Sequence, residues 1–246
     1  MNVIWAIILG ILQGLTEFLP ISSSGHLVLV QSFIPGFSQP GVLFDVVLHL
    51  GTLLSIIYYY RKRILKLKLK YIYLIVVGTI PVVVIGFLFQ DYIEMLFGSV
   101  KLVGIALIIT GIINLLADRA VSRSVKVKYK ESILIGFAQA FALIPGISRS
   151  GSTISTGVNL GIDRKKAAEF SFLLSVPAIL GASVLQIVNY GTDGLDNMTY
   201  YFAGFVAAFV TGVFAINLVL KSLKARNFKY FAVYCFVVGG VALLIS

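Results

Sequence analysis

Long apolar stretches separated by short polar ones run along the whole chain. Tyr71 to Phe89, Val100 to Ala117 and Tyr200 to Leu220 each hold about the 20 apolar residues that cross a hydrocarbon core roughly 30 Å thick. Together with residues 41–60, 166–188 and 230–246 they predict six membrane-spanning helices. Two further segments break the pattern. Each opens with an apolar half-helix of about 12 residues, too short to span, and stops at Pro20 or at Pro145-Gly146. It then passes through serines and is apolar again to about residue 34 or 160. Non-helical backbone at membrane depth is tolerated only where protein or a watery cavity satisfies it, so both segments are predicted to be re-entrant helix hairpins.

The same order occurs twice. Shifting the chain against itself by 126 residues places Gly10, Gln13, Ile21, Ser22, Ser24 and Gly25 on Gly136, Gln139, Ile147, Ser148, Ser150 and Gly151. The register continues without a gap through Phe44 on Phe170 and Leu48 on Leu174. Chance likeness between apolar helices matches Leu with Ile, but not Gln, Ser and Gly at fixed places. The predicted fold is therefore an all-α integral membrane protein, a single membrane domain over 1–246 with two inverted-topology repeats, about 1–120 and about 130–246. Each repeat is a re-entrant helix hairpin plus three transmembrane helices, and the odd number of spans inverts the second repeat relative to the first. Gly204, Ala208 and Gly212, four apart, form a small-residue stripe expected to allow close helix packing.

Composition agrees with this picture: 59% of residues are hydrophobic and 12% charged, against roughly 25% charged in a soluble domain. Residues 1–18 lack a basic leader region and run into polar residues, so they are expected to belong to the mature fold. The one cysteine, Cys235, has no partner for a disulfide or a cysteine metal cluster. A net charge of +10 invites a nucleic-acid reading until the charges are placed. All basic residues except Lys101 and Arg149 fall within 61–70, 119–130, 164–166 and 221–229, while the alternate connections carry Asp91, Glu94, Asp193 and Asp196. Lys and Arg gather in cytoplasmic loops. The clusters are therefore expected inside, both termini and the 90–97 and 189–199 loops outside, and no nucleic-acid partner is needed. The first hairpin then enters from outside and the second from the cytoplasm, so their breaks meet near the midplane. Contact with anionic membrane lipids is the secondary expectation for the basic clusters.

A charged side chain at membrane depth costs about 2.5–3.5 kcal/mol on insertion scales and usually faces a cavity or a partner. Gln13 and Glu17, four apart, share a face at the end of the first half-helix. After Pro20 come Ile21-Ser22-Ser23-Ser24-Gly25-His26, serines that precede a new helix and offer cap oxygens and free N–H groups, as an anion site requires. His26 lies three residues after Ser23, so the two are expected to face one another, with His26 a candidate base. In the second break, Pro145 to Thr153, Gly146 permits close backbone approach, Ser148, Ser150 and Thr153 supply hydroxyls, and Arg149 offers a planar fork suited to phosphate oxygens. Two readings of Arg149 stay open: a clamp on an anion, or a permanent partner of Glu17 that locks the hairpins. In the repeat register Ser23 and Arg149 are equivalent, which would set a nucleophile opposite an anion clamp. Asp45, His49 and Glu169 are assigned structural roles, with Asp45 expected to pair with Lys101.

Gln13-x-x-x-Glu17, the Ser22 to His26 run and Pro145 to Thr153, with Phe170-Ser171-Phe172-Leu173-Leu174 and Pro177-Ala178-Ile179, resemble the undecaprenyl-diphosphate phosphatases associated with bacitracin resistance. The likeness covers nearly the whole chain, with Ser24 standing where many relatives carry Thr. It implies hydrolysis of undecaprenyl (polyprenyl) diphosphate to the monophosphate and inorganic phosphate, recycling the lipid carrier for cell-envelope glycan synthesis. It also implies a plasma-membrane site open toward the outer face and a divalent cation, Mg2+ or Ca2+, with Glu17 as the candidate ligand. Carried over by motif, Glu17, Ser23, His26 and Arg149 are expected to be catalytic, and Gln13, Ser22, Ser24, Gly146, Ser148, Ser150 and Thr153 to bind substrate. The expected reaction is attack by Ser23 on the terminal phosphorus with His26 as base, Glu17 orienting His26 or holding the metal. Direct attack by water stays open, as do the prenyl length and whether the protein is a homodimer. The alternative function is a transporter or flippase for a phosphorylated lipid or anion, because inverted repeats with broken helices are also transporter architecture.

Overall fold

The computed structural model describes residues 2–39, 42–121, 123–190, 198–224 and 228–246, and is built from α-helices. Helix α1 (Val3–Thr16) starts at Asn2, whose side chain accepts from Trp5 N at 2.9 Å, an N-cap that satisfies one of the free N–H groups of the first turn. It ends after 14 residues, too short for the roughly 20 residues of a span. The chain turns through residues 17–22, and α2 (Ser23–Ser32) begins with Ser22 Oγ accepting from Gly25 N at 3.3 Å. Then follow α3 (Leu43–Ile64), α4 (Leu69–Leu88), a short α5 (Gln90–Leu96) and α6 (Val100–Arg119). The order recurs with α7 (Tyr129–Phe141), a turn through 142–148, and α8 (Arg149–Asn159), where Ser148 Oγ accepts from Gly151 N at 3.0 Å. The last helices are α9 (Arg164–Tyr190), α10 (Met198–Lys224) and α11 (Phe228–Leu244).

Among the described residues, five helices, α3, α4, α6, α9 and α10, are long and apolar enough to cross a membrane. The sixth expected span, α11, is apolar but only 17 residues long. The expected 90–97 loop instead carries α5, and Asp193 and Asp196 lie outside the described residues. Pro81 and Pro177 sit inside α4 and α9 without ending them, as neighbouring helices in a membrane bundle permit. Exposed Phe202, Val206, Val210, Phe214 and Leu218 recur every four residues along α10, and Val233, Val237 and Val241 do so along α11. Such stripes suit lipid rather than water. The chain is a multi-pass membrane protein.

The small-residue stripe of α10 packs as its spacing predicts. A Cβ added at Gly14 would stand 2.6 Å from Ala208 O and 2.8 Å from Gly212 N. One at Gly10 would strike Gly204 O, and one at Gly136 would strike Gly78 O. These last two contacts are copies of one another at the 126-residue offset, with α1 lying on α10 and α7 on α4. Helices α6 and α11 also pack together, as do α3 and α9. Buried Phe18, Ile56, Phe170, Phe172 and Ile216 form the largest core cluster, and Leu9, Leu27, Phe44 and Leu48 form a second around α1 and α3.

Candidate active site

The turns of the two hairpins meet. Ser150 Oγ donates to Leu19 O at 2.9 Å, and a Cβ on Gly25 would stand 3.0 Å from Gly146 Cα. Helix α6 holds both turns: Asn114 Nδ2 donates to Pro20 O at 2.6 Å, and Thr110 Oγ1 donates to Gly146 O at 2.8 Å while accepting from Ser148 N at 3.0 Å. Gly146 itself has φ +97°, a conformation that a side chain would strain. Each hairpin therefore offers the first turn of a helix, α2 or α8, with its free N–H groups and positive dipole end turned to one region.

Glu17, 5% exposed, is the hub of that region. Its Oε1 pairs with Arg149 Nη2 across the hairpins. Its Oε2 accepts from Ser23 Oγ at 2.5 Å and from Gln13 Nε2 at 3.0 Å, and lies 3.3 Å from His49 Nδ1. The Gln13 amide nitrogen also lies 2.8 Å from His49 Nδ1. Removing one member of a buried ion pair typically costs 3–5 kcal/mol, so Glu17 and Arg149 hold each other in place. Arg149 Nη1 remains buried without a partner, a donor left over for something else.

The group opens onto a cavity of about 370 Å³. Glu17, Ser22, Ser23, Ser24, Ser148 and Arg149 line it, beside Asp45, His49, Gln139 and Ser175. From there the wall turns apolar, with Val82, Val83, Phe87, Ile93, Leu143 and Ile179, and ends at Gln90, Glu94 and Gln186. Gln13, His26, Gly146, Ser150 and Thr153 do not line the cavity. Gln13 orients Glu17 from behind, Gly146 and Ser150 tie the turns together, and Thr153 Oγ1 bonds to Ser171 Oγ at 2.6 Å and to Arg149 O at 2.8 Å inside α8.

His26 stands elsewhere than its spacing suggests. Its Nδ1 donates to Ser22 O at 2.6 Å, and its Nε2 meets Tyr234 Oη at 2.8 Å with the two rings stacked. Neither nitrogen is on Ser23. Helical side chains lean back toward the N-terminus, so His26 reaches the carbonyl four residues before it, while Ser23, at the start of α2, reaches back to Glu17. Ser22 has φ +68°, an uncommon conformation for serine, and His26 grips the carbonyl of that residue. The Asp45–Lys101 pair does not form either. Asp45 accepts from Gln31 Nε2 at 2.5 Å and Lys101 is exposed, while Glu169 pairs with Arg63 at 2.7 Å. His49 and Asp45, given structural roles from sequence, face the cavity. Their one signal was the four-residue spacing on one face of α3.

Fold and site together define an all-α, multi-pass membrane protein with a buried serine and carboxylate and a part-buried guanidinium gathered between two pairs of short helices. A family model described as bacitracin resistance protein BacA matches residues 6–241, and the chain belongs to that family. It is 39% identical over 262 residues to an undecaprenyl-diphosphatase of Syntrophotalea carbinolica, covering 100% of both chains. It is 41% identical over 261 residues to one of Christiangramia forsetii, covering 100% of this chain and 99% of that one. With one of Carboxydothermus hydrogenoformans the identity is 42% over 258 residues, covering 100% and 98%.

Proposed function

We propose that the protein hydrolyses undecaprenyl (polyprenyl) diphosphate to the monophosphate and inorganic phosphate in the plasma membrane, recycling the lipid carrier for cell-envelope glycan synthesis. The observation that carries this reading is Ser23 Oγ, 2.5 Å from a buried carboxylate that Arg149 also grips, on the wall of a cavity that turns apolar beyond it. The full-length relatives named undecaprenyl-diphosphatase support the same substrate. Transport alone has no comparable support, since binding an anion does not require a serine donating to a carboxylate.

Ser23 donates to Glu17 Oε2, so Glu17 takes its proton as Oγ attacks the terminal phosphorus. The Oγ–P bond forms, the bond from that phosphorus to the bridging oxygen breaks, and polyprenyl monophosphate leaves with that oxygen. Water then attacks the phosphoserine. Glu17 returns its proton to Oγ as the Oγ–P bond breaks, and phosphate departs with the protons of the water. Arg149 and the first turns of α2 and α8 stabilise charge on the transferring oxygens, the main requirement of phosphoryl transfer. His26 acts through Ser22, fixing the start of α2.

Among the described residues, no three His, Cys, Asp or Glu side chains gather to hold a metal unaided. Mg2+ commonly takes one or two carboxylates plus substrate phosphates, and Glu17 on the cavity wall fits that shared mode with diphosphate oxygens. A bound Mg2+ or Ca2+ would add positive charge beside Arg149.

The proposal includes two inverted repeats, each a re-entrant hairpin with three spans. The matched Gly10–Gly204 and Gly136–Gly78 contacts support it. It also includes an outward opening, because the cavity extends to α5 and the C-terminal part of α9, away from the basic ends of α3 and α6. Purified protein should release phosphate from polyprenyl diphosphate in detergent, and rapid-quench mass spectrometry should find phosphate on Ser23. Substantial turnover by Ser23→Ala would remove the nucleophile.

A further inference from the structure

Gln139 is 2% exposed, lines the cavity, and has no partner for either Nε2 or Oε1. A buried amide left unmade is costly, so native interiors seldom keep one without a use. In the repeat register Gln139 is the counterpart of Gln13, whose amide nitrogen donates to Glu17 and meets His49. The counterparts of those two partners are Leu143, which cannot accept a hydrogen bond, and Ser175, whose hydroxyl donates to Phe172 O at 2.7 Å. Gln139, Leu143 and Ser175 all line the cavity. The second hairpin carries the amide without the carboxylate to which Gln13 donates.

We propose that Gln139 is a binding residue for the diphosphate head group, its amide N–H taking a phosphate oxygen as Gln13 takes the carboxylate of Glu17. A phosphate oxygen offers the same negatively charged acceptor, and Arg149 Nη1, also buried and unpartnered on this cavity, is a second donor for it. The identity of the ligand rests on the proposed function; the presence of an oxyanion site at Gln139 does not.

The test uses full-length protein in detergent, with Gln139→Leu and Gln139→Met, two apolar replacements of similar size, and inorganic diphosphate as the probe. Both variants should unfold without ligand at or above the wild-type temperature, because each removes an unsatisfied buried amide. Diphosphate should bind them roughly 10- to 100-fold more weakly, as loss of a hydrogen bond to a charged group implies. With polyprenyl diphosphate the loss should fall mainly in KM. Wild-type diphosphate affinity in either variant overturns the proposal, and so does a lowered ligand-free unfolding temperature in both, which would mark the amide as structural. If wild-type protein binds diphosphate through Gln139 but releases no phosphate from the lipid, the functional reading falls and the site stands.

Discussion

Glu17 serves four neighbours at once, Arg149, Ser23, Gln13 and His49, and substitutions there separate its roles. Glu17→Gln keeps the shape but leaves Arg149 buried without a counter-charge and Ser23 without a proton acceptor. Turnover should fall by roughly 10²–10⁴, the range of general-base loss, and the unfolding temperature should drop with it; phosphate release and thermal unfolding check both. Arg149→Lys keeps the charge and loses the fork, so it should unfold near wild type while turnover still falls by more than about 10-fold. His26 gives a sharper contrast. If it holds the Ser22 carbonyl, His26→Asn, which still offers an N–H, should keep far more turnover than His26→Ala. Equal loss in both would return His26 to the role of base. Glu17, Ser23 and Arg149 were legible in the sequence because charge and serine are conspicuous at membrane depth. The partner of Ser23 was not, because a three-residue spacing indicates a shared helix face only inside a helix, and Ser23 opens one. His49 meets Glu17 only through tertiary packing of α3 on α1.

At the scale of helices, the site depends on two short hairpins pinned by a long helix. Thr110 on α6 links Gly146 O and Ser148 N, so Thr110→Val leaves two buried backbone groups unmet. That should cost about 1–3 kcal/mol of stability, and turnover should fall because Arg149 follows directly in the chain; thermal unfolding and phosphate release measure the two effects. The helices themselves were readable from apolar length, and the two breaks from a proline followed closely by a run of serines, Pro20 to Ser24 and Pro145 to Ser152. Helix α5 was not, because seven residues mixing Gln, Asp and Glu with Tyr, Ile, Met and Leu leave too short a period to tell a helix from a loop. The cavity was also invisible, since most of its apolar wall comes from α4 and α9, whose sequences read as ordinary lipid-facing spans.

For the whole molecule, orientation follows from where charge gathers relative to the cavity. The C-terminal ends of α3 and α6 carry Arg61, Lys62, Arg63 and Arg119, and α9 starts at Arg164, whereas α5 and Gln186 close the far end of the cavity. Lys and Arg gather on the cytoplasmic side, so the proposed orientation turns the cavity, which lies away from these basic helix ends, outward to receive the lipid diphosphate. Residues 191–197 lie outside the described structure, so Tyr92 on α5, 70% exposed, is the better reporter for the outer side. In a background with Cys235 replaced, Tyr92→Cys should react with an impermeant maleimide on intact cells. Lys66→Cys and Lys126→Cys, within two of the basic clusters, should react only after permeabilisation. The opposite pattern would turn the cavity to the cytoplasm and remove the outer leaflet as the source of substrate. Labelling of Tyr92 and Lys66 from the same side would break the topology itself, because α4 must cross the membrane between them.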